Sequence, residues 1–274
     1  MNPKQCVKAV ILAAGVGSRM RRADETAELS AAQLRAAANG SKAMMPFARP
    51  FLDYVLTSLA DAGFQEICLV VRPQAAEIRS YYLDVAPLCR FKMQFAVQSE
   101  PRGTAHATLA AEAFAAGDRF VLINGDNLYP TEALSQLRTL DGCGLVGFER
   151  ASMLGDSNVA AERITGFAVV RRDEAGDLNG IIEKPSQATL DSLPPPILLS
   201  MNCWLFDRDI FTSCRAIKLS PRGEFELPDA VLHCVGAHKK RFYVVPCRWG
   251  VWDLSRQADV PQISRMLDGR EVRL

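Results

Sequence analysis

Four short apolar runs in the first half of the chain alternate with amphipathic stretches, and this alternation restricts the possible folds more than any other feature. The apolar runs lie at 7–13, 66–71, 92–98 and 119–125. The stretches with helical spacing lie at 51–62, 75–83 and 104–115. Short apolar runs are typical of buried strands, and alternation of strands with helices predicts a mostly parallel sheet with helices on both faces.

The second half has a less regular pattern. Predicted strands lie at 144–150, 166–172, 197–207 and 241–247, and predicted helices at 226–235 and 255–267. The proline run at 194–196 predicts a loop rather than a linker between domains, because strand signals resume directly after it. The sequence therefore predicts a single Rossmann-like α/β domain with a mixed, mostly parallel sheet.

The composition excludes several functional classes. The 274 residues carry a net charge of +1, so no basic excess points to nucleic acid or an acidic membrane as a partner. With 49% apolar and 23% charged residues, the chain is globular rather than disordered. The N-terminal apolar run is too short for a membrane span or a signal sequence. The eight cysteines include no CxxC pair, which predicts reduced thiols in a cytoplasmic protein rather than disulfides or a zinc site.

A glycine-rich segment, Ala13–Arg19, follows the first predicted strand. Glycine N–H groups at the carboxyl end of such a strand can approach phosphate oxygens, and Arg19 can add a charge-assisted contact. A dinucleotide-binding G-x-G-x-x-G motif is not met because its third glycine is replaced by Met20, and a P-loop is not met because Lys42 follows Ser41. By spacing alone, a glycine turn without a ligand explains the segment as well as a phosphate loop does.

Three further motifs contain side chains suited to a nucleotide and a metal. Lys42 opens the segment KAMMP, Gln98 precedes PRGTAHA, and Asp126 ends a predicted strand in INGDN. The glutamine amide both donates and accepts, which suits the imide edge of uracil or thymine. A carboxylate at the end of a buried strand is placed to hold Mg²⁺ on a triphosphate. Taken singly, the three are explained as well by a solvated lysine, a plain strand–helix junction and an Asx turn.

The four motifs together, in the order AAGVGSRM, KAMMP, PRGTAHA and INGDN, resemble the sugar-nucleotide pyrophosphorylase family. The resemblance continues in GFAVV, IIEKP, MNCWLF, RGEFELPD and WGVWDLSRQAD, and so spans nearly the whole chain. It implies an enzyme that transfers a nucleotidyl group from a nucleoside triphosphate to a sugar 1-phosphate and releases pyrophosphate. It also implies a nucleotide-binding half at 1–130 and a sugar-phosphate-binding half at 131–274.

The same resemblance implies a role for each matching residue. The residues implied in catalysis are Arg19 and Lys42 on the triphosphate, Asp126 on the metal and Lys184 on the sugar phosphate. Those implied in nucleotide binding are Ala14, Gly15, Gly17, Gln98, Gly103 and Thr104. Those implied in sugar-phosphate binding are Gly166, Glu183, Lys184, Asn202 and Arg222, with Glu224 beside Arg222. Asp126 and Asp253 are implied as the two ligands of Mg²⁺.

The chain departs from the family pattern between Arg19 and Lys42, where the connection is longer than usual. The extra stretch, Thr26–Asn39, is rich in alanine and is followed by Gly40, which predicts a helix with a glycine stop. Two roles are equally open for it: a lid that becomes ordered on the nucleotide, or a static surface helix. The few residues after Asp253 leave no room for the β-helix of bifunctional acetyltransferase relatives.

The sequence also leaves other functions open. A related transferase would act on a non-sugar phosphate such as phosphocholine, and a non-catalytic relative would bind a nucleotide sugar as a regulator. A nicotinamide-dependent oxidoreductase has the least support, since its third glycine is missing. The glutamine favours UTP or dTTP, although adenylyl-transferring relatives also carry glutamine in this region. The sequence leaves open the identity of the sugar and whether the protein is a homo-oligomer.

Overall fold

The first four strands of the sheet lie where the apolar runs predict them. The computed structural model describes residues 5–274. Its strands are β1 Lys8–Leu12, β2 Glu66–Val71, β3 Lys92–Val97, β4 Phe120–Asn124, β5 Asn127–Leu128, β6 Cys143–Glu149, β7 Ala168–Arg172, β8 Leu178–Ile182, β9 Leu198–Phe206, β10 Phe242–Cys247 and β11 Trp252–Asp253. Its α-helices are α1 Ala31–Asn39, α2 Phe51–Asp61, α3 Ala76–Ser80, α4 Thr104–Leu109, α5 Glu112–Ala115, α6 Thr131–Arg138, α7 Arg150–Gly155, α8 Gln187–Ser192, α9 Asp209–Ala216, α10 Leu227–Ala237 and α11 Asp259–Leu267.

The central sheet has the strand order β10-β6-β9-β4-β1-β2-β3, with β7 and β8 attached beside β9. Neighbours along this order are parallel, except that β9 runs antiparallel to both β4 and β6. The predicted mixed, mostly parallel sheet is confirmed. The carboxyl ends of β1, β2, β3 and β4 meet at one edge, which is where ligands bind in sheets of this kind.

Helices cover both faces of the sheet and define two cores. On one face, apolar residues of α2, α6 and α11 share a core with Ile11 of β1. On the other face, apolar residues of α4, α9 and α10 share a core with Val10 of the same strand. Successive side chains of a strand point to opposite faces, so a strand covered on both sides is apolar throughout. Among the helices of residues 5–274, none combines the length and apolar composition that a bilayer crossing requires.

The insert helix α1 begins at Ala31, five residues later than the sequence pattern predicts. Ser30 ends the preceding loop with a capping box: its Oγ accepts from Gln33 N (3.3 Å), and Gln33 Oε1 accepts from Ser30 N (3.0 Å). The predicted glycine stop is confirmed, because Gly40 ends the helix in the left-handed region with φ 67°.

Three further elements differ from the predicted ones. The helix predicted at 255–267 begins at Asp259, because its Oδ2 accepts from the backbone N–H groups of Ser255 and Arg256 (2.8 Å each). The stretch at 104–115 is two short helices, and the stretch at 75–83 is α3 followed by a π-helical turn. The elements that the pattern did not predict are β5, β8, β11, α6, α7, α8 and α9.

Candidate active site

The glycine-rich segment and the INGDN motif meet at the carboxyl edge of the sheet because β1 and β4 are parallel neighbours. Gly125 N donates to Leu12 O (2.9 Å) and Ala13 N donates to Val70 O (2.8 Å), so the loop after β1 is held between its two neighbouring strands. A Cβ at Gly125 would lie 3.1 Å from Ile11 Cγ2 and 3.2 Å from Leu12 O. A side chain at Gly125 would therefore need β1 or the INGDN turn to shift by a few tenths of an ångström.

A cavity of about 490 Å³, which we call the nucleotide cavity, opens at this edge. Its walls include five of the six residues predicted to bind nucleotide, together with both Lys42 and Asp126. Those five are Ala14, Gly15, Gln98, Gly103 and Thr104. Two further lining residues, Arg72 and Gln74, were not predicted. Arg72 directly follows β2, so its place after a strand next to β1 was a signal for it in the sequence.

Gly17, the sixth predicted nucleotide-binding residue, packs against the insert instead of lining this cavity. Its φ is 64°, and a Cβ there would lie 2.5 Å from Gly40 O. A Cβ at Gly40 would in turn lie 2.4 Å from Val16 O. The end of α1 is thus held against the glycine-rich loop backbone to backbone, which only glycine at both positions permits.

The Gln98 side chain is held by the loop that follows β3. The residue is 7% exposed, its Nε2 donates to Gly103 O (3.0 Å), and the same nitrogen lies 3.3 Å from His106 Nδ1. Gly103 has a φ of 101°, and a Cβ there would lie 2.5 Å from Phe225 O. Thr104 is fixed in the same way, since its Oγ1 accepts from Leu227 N (2.9 Å). The segment RGEFELPD therefore supports this loop.

Asp126 and Asp253 are brought together by the short antiparallel pair of β5 and β11. Asn127 is opposite Asp253 in this pair, and Leu254 N donates to Asp126 O (2.9 Å). Asp126 Oδ2 forms an ion pair with Lys42 Nζ. Two strands of two residues each thus place side by side two carboxylates that lie far apart in the sequence.

Asp253 is nearly buried and its carboxylate is fully engaged. Oδ1 accepts from Asn127 Nδ2 (2.8 Å) and Ser255 Oγ (3.0 Å), while Oδ2 pairs with Arg163, which also pairs with Asp259 Oδ1 at 2.8 Å. Burial, followed by the nearby negative charge of Asp126, raises the pKa of the Asp253 carboxyl. Arg163 was not predicted, and no sequence pattern links it to Asp253.

The two carboxylates fit a divalent cation. Burial beside a like charge favours a positive charge at this pair, and in the structure Lys42 and Arg163 supply it. Carboxylate oxygens are the ligands that Mg²⁺ prefers, and a bound Mg²⁺ would displace these two cations from the carboxylates. No three histidine, cysteine, aspartate or glutamate side chains of residues 5–274 gather into a metal site. An ion at Asp126 and Asp253 would therefore take its other ligands from water and substrate phosphates, as Mg²⁺ commonly does.

A second cavity of about 310 Å³, which we call the acceptor cavity, adjoins the first. Both cavities are lined by Thr104, Asn124, Asp126, Asn202 and Glu224. The acceptor cavity is also lined by every residue predicted on the sugar phosphate and by Asp253. Those predicted residues are Gly166, Glu183, Lys184, Asn202 and Arg222.

Two of the acceptor residues have backbones in the left-handed region. Lys184 has a φ of 43° and Asn202 a φ of 54°. Asn202 lies where the pairing of β9 with β6 shifts register, and such irregularities turn side chains out of the regular sheet pattern. Strained backbone of this kind is concentrated at functional sites.

Arg222 meets a carboxylate that the sequence analysis did not single out. Its guanidinium forms a two-pronged ion pair with Glu226, including Nε to Oε1 at 3.0 Å. Burial, followed by the charge of Glu226, raises the pKa of the nearby Glu183 carboxyl. Both residues precede α10, which begins at Leu227, so the helical i,i+4 rule does not predict their contact.

Arg19 lies apart from Lys42 in this structure. Lys42 lines the nucleotide cavity, whereas Arg19 lines the acceptor cavity and a third cavity beyond it. The structure thus places Lys42 and Asp126 in one cavity with the loop after β3 that holds Gln98. It places Arg19 with Lys184 in the other cavity.

The comparison with known families agrees with this geometry. The sequence model of the nucleotidyl transferase family matches residues 8–254. This chain belongs to the nucleotidyl transferase family. The family resemblance read from the motifs is confirmed, and a nicotinamide-dependent oxidoreductase does not fit the match.

Similar proteins include transferases that act on sugar phosphates. The chain is 30% identical over 272 residues to a glucose-1-phosphate thymidylyltransferase of Streptomyces antibioticus, covering 98% of this chain and 68% of that protein. It is 27% identical over 231 residues to a low-salt glycan biosynthesis nucleotidyltransferase of Haloferax volcanii, covering 82% of this chain and 56% of that protein. The chain thus spans between about half and two thirds of these relatives' length.

Solved structures share the fold. A UDP-glucose pyrophosphorylase in complex with UDP-glucose matches with a TM-score of 0.74 at 19% identity, covering 97% of this chain and 100% of that chain. A UDP-glucose pyrophosphorylase from Acinetobacter baumanii matches with a TM-score of 0.72 at 18% identity, covering 97% and 95%. At these identities the likeness shows the fold alone.

Proposed function

We propose that this enzyme transfers a nucleotidyl group from a nucleoside triphosphate to a sugar 1-phosphate and releases pyrophosphate. The observation that carries the proposal is that the nucleotide and acceptor cavities meet at Asp126. A donor in one cavity and an acceptor in the other would have their reacting phosphates at this junction. Positioning two reactants in this way is the main source of rate in a phosphoryl or nucleotidyl transfer.

The acceptor phosphate oxygen attacks the α-phosphorus in line, and pyrophosphate leaves without a covalent enzyme intermediate. Lys184 orients the attacking phosphate, and Lys42 offsets charge on the triphosphate from the nucleotide cavity. Arg19 lies on the acceptor side, so its role on the triphosphate stays a prediction. Lys42 pairs with Asp126 in the structure, so this pair brings a cation to the cavity junction. Enzymes of this class generally depend on a divalent metal. We propose Mg²⁺ held by Asp126 and Asp253, which would supply charge neutralisation around the phosphates when bound.

The orientation of Gln98 supports UTP or dTTP as the donor. Its Nε2 is occupied by Gly103 O and His106, whereas its Oε1 accepts no hydrogen bond from any residue in 5–274. An accepting oxygen suits the imide N–H of uracil or thymine. We also propose that the enzyme works in the cytoplasm, since its eight cysteines are free thiols.

The test is a grid of UTP, dTTP, ATP and GTP against several sugar 1-phosphates and phosphocholine, scored by pyrophosphate release. We expect release with UTP or dTTP and a sugar 1-phosphate. Release with phosphocholine alone would replace the proposal by the non-sugar transferase. Binding of a nucleotide sugar without release under any combination would leave a regulatory protein.

Removing the amine of Lys184 is expected to weaken acceptor binding selectively. Lys184 lines the acceptor cavity and not the nucleotide cavity. Lys184→Ala should therefore raise the KM for the sugar phosphate by about tenfold, because a charge-assisted contact is lost. The KM for the triphosphate should stay within about twofold of wild type.

The control for this variant is Lys218→Ala, an exposed lysine that lines none of the cavities. It should change neither constant. If Lys184→Ala raises both constants equally, or only that for the triphosphate, the proposed role of Lys184 is wrong.

We propose that the insert is a lid, and hydrogen exchange measures it directly. The C-terminal end of α1 is fastened to the glycine-rich loop, whereas the stretch before α1 is mostly exposed and joins the body through Asp24 N and Gln257 Oε1 (3.2 Å). Triphosphate with Mg²⁺ should slow exchange across residues 23–40 and leave α2 unchanged. Equal protection in both states would identify the insert as a static surface helix.

A further inference from the structure

A third cavity of about 650 Å³ lies beside the insert, and we call it the insert-side cavity. One wall is formed by the turn that leads into the insert, through residue 19 and residues 22–25, and the others by residues 162–167 and 255–257. Its charged lining residues are Arg19, Arg22, Asp24, Glu25, Glu162, Arg163 and Arg256. None of the residues that the sequence analysis assigned to the nucleotide, other than Arg19, lines it.

The insert-side cavity continues the acceptor cavity and not the nucleotide cavity. Arg19, Gly166, Phe167 and Ser255 line both the acceptor cavity and the insert-side cavity. The nucleotide cavity has no lining residue in common with the insert-side cavity. A molecule bound at the acceptor site can therefore extend into the insert-side cavity, whereas the nucleotide base and its loop lie elsewhere.

The cavity lining includes both hydrogen-bond donors and hydrogen-bond acceptors that have no partner among residues 5–274. Within residues 5–274, the guanidinium groups of Arg22 and Arg256 form no ion pair or hydrogen bond, and neither do the carboxylates of Glu25 and Glu162. Arg163 differs, because Asp253 and Asp259 occupy it. Guanidinium groups only donate and carboxylates only accept. Opposite charges in about equal number give such a surface no strong preference for an anion or a cation.

Hydroxyl groups match this surface because each of them both donates and accepts. Phe167, half-buried and lining both cavities, adds an aromatic residue to the passage between them, and aromatic rings pack against sugar C–H groups.

We infer that the insert-side cavity binds a second, hydroxyl-rich ring of the acceptor, so that this enzyme prefers a disaccharide 1-phosphate to a monosaccharide 1-phosphate. This inference rests on the proposed function and adds to it the class of acceptor. The turn before the insert then determines acceptor specificity, because Arg22 and Glu25 of this turn line the cavity.

The experiment compares glucose 1-phosphate with the disaccharide acceptors maltose 1-phosphate and cellobiose 1-phosphate. Wild type should use at least one disaccharide acceptor with a kcat/KM about tenfold above that for glucose 1-phosphate, since contacts with added hydroxyl groups stabilise the bound acceptor. The double variant Arg22→Ala/Arg256→Ala should lose that advantage and keep its kcat/KM for glucose 1-phosphate within about twofold. The matched control is Arg35→Ala, which removes an exposed arginine of α1 that lines none of the cavities.

The outcomes separate this inference from the proposed function. Turnover of glucose 1-phosphate with rejection of both disaccharides, or equal losses for all acceptors in the double variant, overturns the inference and leaves the proposed function intact. If no acceptor releases pyrophosphate, the proposed function fails. Calorimetric titration with maltose 1-phosphate then decides the inference independently: heat of binding that the double variant lacks supports it, and no heat with wild type overturns it.

Discussion

Asp126→Asn should reduce kcat by about a thousandfold, equivalent to about 4 kcal/mol of transition-state stabilisation. The substitution keeps the side-chain volume and removes one negative charge at the junction of the nucleotide and acceptor cavities. Lys42 then loses its ion-pair partner, and Asp253 remains as the one carboxylate of the proposed metal site. Both losses act on the charge that surrounds the reacting phosphates. The measurement is steady-state pyrophosphate release at saturating substrates and Mg²⁺.

Asp141→Asn is the matched control, because Asp141 is exposed and lines none of the cavities. It should leave kcat unchanged. Thermal unfolding of both variants should resemble that of wild type, which separates lost chemistry from lost structure. A kcat near that of wild type for Asp126→Asn at high Mg²⁺ would contradict the role assigned to this carboxylate.

Gly17→Ala should destabilise the fold by about 3 kcal/mol and also impair the use of the triphosphate. The added Cβ would lie 2.5 Å from Gly40 O and 2.7 Å from Gly40 Cα, and backbone atoms cannot rotate away as a side chain can. The φ of 64° adds the cost of a left-handed backbone for a residue with a Cβ. Relief requires α1 to separate from the glycine-rich loop. Denaturant unfolding measures the first effect and the triphosphate KM the second.

Gly15→Ala is the informative comparison, since it lies two residues away in the same motif. A Cβ at Gly15 meets no heavy atom within 4 Å, and the residue has no positive φ. The free energy of unfolding of the Gly15→Ala variant should stay within about 0.5 kcal/mol of that of wild type. Because Gly15 lines the nucleotide cavity, its KM for the triphosphate should still rise. Equal stability of the two variants would show that the contact between Gly17 and Gly40 contributes nothing.

The first half of the fold could be predicted from its sequence pattern because β1, β2 and β4 are buried on both faces and are therefore mostly apolar. β3, at the edge of the sheet, is partly exposed and includes Lys92 and Gln94. β2 matches its predicted range, and β1, β3 and β4 differ from theirs by one or two residues. The pattern missed four helices of the second half, α6, α7, α8 and α9, whereas it located every helix of the first half at least approximately. The strands β5 and β11 are too short to show any period.

The candidate site also contains residues whose positions follow from the sequence and a residue whose position does not. The positions of Lys42, Gln98 and Asp126 beside one cavity follow from motifs placed after parallel strands, which any sheet of this kind brings to one edge. The position of Arg19 does not follow, because the chain turns away after the glycine-rich loop and Arg19 lines the acceptor side.

By itself, the sequence determined the class of fold, the edge of the sheet that holds the site and the residue types gathered there. These depend on local periodicity and on motifs within one stretch of chain. Only the tertiary structure decided which of the two neighbouring glycines, Gly15 or Gly17, is fixed by packing and which faces the cavity. It also decided that Arg163 engages Asp253 and that an insert-side cavity extends the acceptor site. Contacts of this kind join residues far apart in sequence, and no local pattern specifies the partner of a side chain or of a backbone atom.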